Sequence, residues 1–211
     1  MLSLIHKGGP IMWPLILTSV IALSVVIERL IFIIREKASR RPEIIERIFA
    51  CVEDNDYEGA ISAGLDSGDA LARVLVYGLQ NRERSFSNAL LQAAGRELKR
   101  FNQGLAILDT IITLAPLLGL LGTITGMVRS FGILGAAELE APAAITGGIA
   151  EALIATAFGL GIAIVALIPY NYLHARMEEA RHELEDAATH LELLLMKPKK
   201  EKEHADSYAR R

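Results

Sequence analysis

The chain has 211 residues, of which 52% are hydrophobic and 22% charged, with a formal net charge of −3 and a single cysteine, Cys51. One thiol excludes an intrachain disulfide and a thiolate metal cluster. A net charge so close to zero says little; how the charges are distributed says more.

The apolar residues are clustered. Ile11–Ile27 is 17 residues without a charge, Thr110–Val128 is 19, and Ala141–Leu173 is 33 interrupted only by Glu151. A spanning helix needs roughly 20 mostly apolar residues, so the chain is expected to be an all-α membrane protein with three transmembrane helices. Three buried helices of a soluble protein are the alternative, but soluble core helices are usually amphipathic and shorter.

In chain order, residues 1–10 are read as a short outer segment and 11–34 as the first span. That span runs past Glu28 and Arg29 into Leu30–Ile34. It is longer than a signal-peptide apolar region, and no small-x-small cleavage site ends it, so it is expected to stay as an anchor. Glu28 is expected to pair either with Arg29 or with a cytoplasmic residue.

Residues 35–104 are expected to form a cytoplasmic helical domain of about three short helices. Pro42 suits a first helical turn and is followed by Ile44, Ile45, Ile48, Phe49 and Val52 at helical spacing. Asp54–Asn55–Asp56 and Asp66–Ser67–Gly68–Asp69 each mark a break and a new N-cap, and Leu71, Val74, Leu75 and Leu79 give a further apolar face. From Ser87 no breaker cluster intervenes, which predicts one long helix over 87–131 with the second span at 105–131. An outer loop is expected at 132–144 and the third span at 145–172, its helix continuing as a charged helix to about Met196. The highly charged tail, 197–211, is expected to be disordered.

Of the 22 Lys and Arg residues, 19 lie either in Arg35–Arg100 or from Arg176 onward, and the link between spans two and three has none. The positive-inside rule puts those two regions in the cytoplasm. The N-terminus and the 132–144 loop, which carries Glu138 and Glu140, then face outward.

Glu151 is the residue that could carry chemistry. An ionised carboxylate at bilayer depth costs a few kcal/mol even on the lenient insertion scale. It is retained if it faces a cavity, is protonated or has a partner, which makes it a candidate reversible proton site. Its own helix offers no basic partner nearby, and Arg129 is expected to snorkel to the outer surface. Gly147, Glu151, Ala155, Gly159 and Ala163 form one i, i+4 row, and Gly148, Ala152 and Thr156 form the next. Small residues in such rows let helices approach closely.

Span two has a matching face in Ala115, Gly119 and Thr123, with Gly122 and Gly126 forming GxxxG. The helix-packing candidates are thus Gly119, Gly122, Gly126, Gly147, Ala155 and Gly159. Pro116 is expected to kink span two, with Thr113 helping to satisfy the backbone there. Counted from the outer ends of their spans, Thr123 lies roughly 12 Å deep and Glu151 roughly 9 Å. An antiparallel hairpin therefore sets them at similar height. Thr156 is slightly deeper but about 140° around the helix from Glu151. Thr113 and Asp109 continue the polar positions toward the other end of span two, where Asp109 is equally readable as a solvated interfacial residue. Threonines in spans also simply bond back to their own helix, and Glu151 could serve as a static interhelical hydrogen bond.

No Gly-Lys dipeptide occurs, so there is no P-loop, and GxSxG, HExxH and CxxC are absent. No cofactor, metal or nucleic acid is expected, and no constellation supports an enzyme. Work done by this chain would draw on an ion gradient, worth roughly 2.3 kcal/mol per charge per 100 mV.

The stretches LAPLLGLLGTITGMV (114–128) and GIAEALIATAFGL (148–160) resemble the ExbB/TolQ/MotA proton-channel family, and its ExbB/TolQ branch in particular; MotA-like members have four spans. The resemblance implies a homopentamer in the lipid bilayer, set around the single spanning helices of ExbD-like subunits. By motif position it implies that Glu151, Thr123 and Thr156 line a proton-linked site. In the ExbB branch such a motor energises a TonB-like transducer for outer-membrane transport; in the TolQ branch it acts through TolA in envelope maintenance. A passive membrane scaffold and a stand-alone channel are the competing classes.

Overall fold

The computed structural model describes residues 8–134 and 141–196, the side chains of 133, 134 and 141–145 excepted. The expectations for residues 1–7, the 135–140 part of the loop and the 197–211 tail lie outside the described residues. The described residues form seven helices and no strand. They are α1 Met12–Ala38, α2 Pro42–Glu53, α3 Tyr57–Leu65, α4 Ala70–Gln80, α5 Arg82–Asn102, α6 Leu105–Leu134 and α7 Ala141–Met196. Three of them are long and apolar enough to cross a membrane, so the chain is an all-α membrane protein.

Local chemistry sets the boundaries. Pro42 occupies the first turn of α2, where its missing N–H would have no helical partner anyway. Asp56 caps α3 by accepting from the Gly59 N–H at 2.9 Å. Asp69 caps α4 by accepting from the Leu71 N–H at 2.9 Å, and its second oxygen accepts from the Arg41 N–H at 2.8 Å. One buried carboxylate thus satisfies an orphan donor at the start of α4 and another just ahead of α2.

Two expectations are corrected. The single helix expected from 87 to 131 is two helices. α5 ends at Asn102 and α6 begins at Leu105, with Gly104 between them at φ +83°. A Cβ on Gly104 would lie 3.1 Å from Val25 and 3.3 Å from Arg29, so the chain turns where it passes close to α1, in a conformation that glycine alone adopts at no steric cost. The expected 132–144 loop is helical at both ends among the described residues: α6 continues to Leu134 and α7 begins at Ala141. Ile133 and Leu134 prolong the apolar pattern, and Pro142 falls in a first turn, where proline is tolerated.

The described chain divides into two compact units. One comprises Ile34–Phe101 and Met177–Arg211. Its core joins Ile45, Ile48, Val52, Ala60, Leu75, Val76 and Leu79 from α2–α4 with Ala187 and Leu191 of α7. Val74, Leu90, Ala93 and Leu184 form a second cluster. Arg73 forks onto Glu97, Nε to Oε1 at 3.1 Å and Nη2 to Oε2 at 2.9 Å, and Arg100 joins the same carboxylate at 3.0 Å. The hydrogen bond to Glu97 raises the Arg73 guanidinium above its ordinary value despite burial, so this cation persists at any accessible pH. Arg40 and Glu183 make a second forked pair.

The other unit comprises Met1–Ile33 and Asn102–Arg176. Large apolar side chains point outward along its helices: Trp13 is 71% exposed, Leu153 63%, Val165 72% and Ile168 71%. A soluble monomer rarely leaves such contiguous apolar surface in water, which removes the soluble-bundle alternative. Within α1, Arg29 is buried, ion-paired with Glu28 and stacked over Phe32 at 4.9 Å. Glu28 is thus satisfied within its own helix.

Candidate functional site

α6 and α7 meet along their small residues, backbone against backbone. A Cβ on Gly159 would lie 2.5 Å from the Ala115 carbonyl oxygen and 3.1 Å from the Gly119 Cα. One on Gly119 would lie 3.1 Å from the Ala155 carbonyl oxygen, and one on Gly126 would lie 3.1 Å from the Gly148 carbonyl oxygen. Gly122 packs on the Ala155 methyl, at 2.5 Å from a notional Cβ. At Gly159 and Gly122 a Cβ fits only if a neighbour shifts, and at Gly119 and Gly126 the facing helix would have to give by a few tenths of an ångström. Gly147 differs: a Cβ there meets nothing within 4 Å, so its side of α7 faces open space in the single chain.

The threonines divide by what their hydroxyls reach. Thr156 donates across the hairpin to the Gly119 carbonyl at 3.0 Å. Thr123 donates to Leu120 of its own helix at 2.6 Å. Thr113 donates to the Thr110 carbonyl at 2.9 Å and the Asp109 carbonyl at 3.2 Å, in the turn preceding the Ile112 carbonyl that Pro116 leaves without its helical donor. Asp109 is exposed, one turn before Thr113.

Glu151 sits on α7 with its side chain 22% exposed. Two neighbours meet it that sequence reasoning missed. The Arg129 guanidinium comes back from near the end of α6 to place Nη1 3.4 Å from Glu151 Oε1. Gly9, at φ +72°, lies so close that a Cβ would fall 1.7 Å from the same oxygen. The depth argument that levelled Thr123 with Glu151 also sets Arg129 roughly 6 Å higher, within reach of an arginine side chain. Gly9 gave only a turn signal, Gly8-Gly9-Pro10, with nothing local to say what it covers. The hairpin thus has a close-packed seam, the Thr156 hydroxyl bridging it, and a carboxylate at its edge held by a cation. No group of three or more potential metal ligands occurs among the described residues.

Comparison with known proteins gives the family. The model of the MotA/TolQ/ExbB proton channel family matches residues 66–186. An ExbB-like biopolymer transport protein of Synechocystis is 36% identical over 195 residues, covering 89% of this chain and 76% of the relative. The Tol-Pal system protein TolQ of Pseudomonas aeruginosa is 41% identical over 92 residues, 44% of this chain and 40% of that protein. The biopolymer transport protein ExbB of Neisseria gonorrhoeae is 35% identical over 102 residues, 48% of this chain and 46% of that protein. The matched stretch of the family model takes in the Gly119–Gly159 seam, Thr123, Thr156 and Glu151 together, and this chain of three membrane-crossing helices belongs to the MotA/TolQ/ExbB proton channel family.

Proposed function

We propose that the chain is the multi-span subunit of a bacterial inner-membrane motor driven by the proton gradient, of the ExbB branch. With ExbD-like single-span subunits in a central pore, it energises a TonB-like transducer for outer-membrane transport. Glu151 carries this reading. It is the one acidic side chain in the third span, set on a close-packed hairpin and held by a cation rather than sealed in apolar surroundings. A site of this kind can exchange a proton when a neighbouring helix moves. Thr156 and Thr123 line the pathway with it, and Thr113 and Asp109 extend that pathway along α6.

Assembly as a homopentamer would cover the open side of α7 at Gly147, since small-residue faces associate in lipid. The charge distribution supports an outer N-terminus and a cytoplasmic C-terminus. A TolQ-like role through TolA is the second reading, favoured by the 41% identity to the TolQ of Pseudomonas aeruginosa over 92 residues.

Deleting the gene and measuring two phenotypes separates the branches. Loss of gradient-dependent uptake through the outer membrane with an intact envelope supports the ExbB branch. Detergent sensitivity with uptake unchanged supports the TolQ branch. In either case Glu151→Gln should fail to restore the phenotype while still assembling. If Glu151→Gln restores it fully and changes on the α2–α4 surface do not, the chain is a passive scaffold.

A further inference from the structure

We propose that Arg129 and the Gly9 turn form a cap over Glu151, on the side of the α6–α7 connection, which must open before the carboxylate can exchange a proton. The inference rests on the reading of Glu151 as the proton-exchanging group and adds the device that gates it.

Two segments distant in sequence converge on one carboxylate. α6 supplies the charge: Arg129 Nη1 lies 3.4 Å from Glu151 Oε1. Ser130 of the same turn packs on Gly148, where its hydroxyl would lie 1.6 Å from a Cβ. The arginine therefore sits nearer the connection than Glu151 and reaches back to it. The segment before α1 supplies the cover. Gly8 packs on Ile154, 3.2 Å from a notional Cβ, and Ile11 packs on Gly122 at 2.8 Å. That holds the turn across the α6–α7 groove at the level of Glu151. Between them Gly9 adopts the left-handed conformation, and any Cβ would land on the carboxylate oxygen at 1.7 Å. Glycine is required there twice over, by its backbone angle and by the seat it leaves for Glu151.

No other described charge faces the carboxylate. The 8–11 segment contains no titratable group, and α7 carries none besides Glu151 between Thr146 and Pro169. Glu28 and Arg29 of α1 are paired with each other, with Arg29 against Gly104. Lys7 lies outside the described residues. A guanidinium cannot be deprotonated in a protein, so this pair opens by movement and not by titration of the arginine. Availability of the carboxylate is thereby tied to the arrangement of α6, α7 and the turn before α1. Arg129 is a positioning residue.

The test is labelling of Glu151 by a hydrophobic carbodiimide, which attacks carboxylic acids in apolar surroundings. Labelling is quantified by peptide mass spectrometry on the full chain in its native membranes with its natural partners. The cap predicts slow labelling in the wild type and labelling several-fold faster in Arg129→Gln, where the carboxylate loses the side chain that covers it. Arg129→Lys keeps the cation and should stay near the wild-type rate; Gly9→Ala should label faster. Wild-type labelling in Arg129→Gln, or equal acceleration in Arg129→Lys, overturns the proposal. Should Arg129→Gln not accumulate in the membrane, Gly9→Ala decides, and a wild-type rate there overturns it. Failure of the proton-exchange reading would look different: Glu151→Gln would retain gradient-driven function whatever the labelling pattern.

Discussion

Thr123 and Thr156 are both hydroxyls of one hairpin, yet they do different work in the fold. Thr156 crosses from α7 to the Gly119 carbonyl, whereas Thr123 closes on Leu120 of its own helix. Interhelical hydrogen bonds in membranes are worth about 0.6 kcal/mol on average and seldom exceed about 2 kcal/mol. Thr156→Val should therefore weaken the hairpin by about 1 kcal/mol, and Thr156→Ser should recover most of it. Thr123→Val should change stability by less than about 0.5 kcal/mol, because a bond within one helix adds little between helices. Denaturant unfolding in mild detergent measures both, and proton-coupled activity is scored separately. A Thr123→Val protein that is stable but inactive would mark Thr123 as a pathway residue rather than a packing one.

Among the helices, the seam between α6 and α7 carries the sharpest steric contrast. Gly159→Ala drives a Cβ to 2.5 Å from a backbone oxygen. A backbone cannot swing aside as a side chain can, and overpacking of this kind costs about 1–3 kcal/mol. Gly147→Ala meets open space within the chain and should be neutral or slightly stabilising, since alanine favours helix over glycine by about 1 kcal/mol. If Gly147→Ala leaves the chain folded but dissociates its assemblies in native mass spectrometry, the open face is a subunit contact. In the other unit, Leu75 is fully buried, and Leu75→Ala should cost about 2–5 kcal/mol through lost burial and a residual cavity. Arg73→Ala strips both forked hydrogen bonds from Glu97, whose side chain is only 13% exposed, and should cost about 1.5–3 kcal/mol. A Glu97→Gln background should reduce that loss, which a double-mutant cycle reads directly.

The same scale shows what the sequence could and could not disclose. The three spans were legible because charge-free runs of 17 and 19 residues, and one of 33 with a single charge, leave no other cheap solution for the backbone. The Asp56 and Asp69 caps were legible because short acidic side chains before apolar runs satisfy orphan N–H groups locally. The break at Gly104 was not. A lone glycine inside a helical pattern is tolerated, and what decides it is the approach of Val25 and Arg29, some eighty residues earlier. Glu151 stood out as the one charge in its run. Its cap did not, because a turn at Gly9 and a cation on another helix are brought to it only by the packing of α1, α6 and α7.

Across the whole molecule, two kinds of surface answer two environments. The unit built from Met1–Ile33 and Asn102–Arg176 exposes Trp13, Leu153, Val165 and Ile168, while the unit built from Ile34–Phe101 and Met177–Arg211 buries Ile48, Val52, Leu75 and Leu79 in a core of its own and carries forked ion pairs. Within the first unit, the third span keeps one ionisable carboxylate at the edge of the seam. Its proposed role is to exchange a proton as part of the motor. The direct measurement is proton flux into vesicles that hold the chain reconstituted with its single-span partner, comparing wild type with Glu151→Gln under the same imposed gradient. A partner-dependent flux is expected in the wild type, falling to the background of protein-free vesicles in Glu151→Gln with the complex still assembled. An undiminished flux in the assembled Glu151→Gln complex would contradict that role.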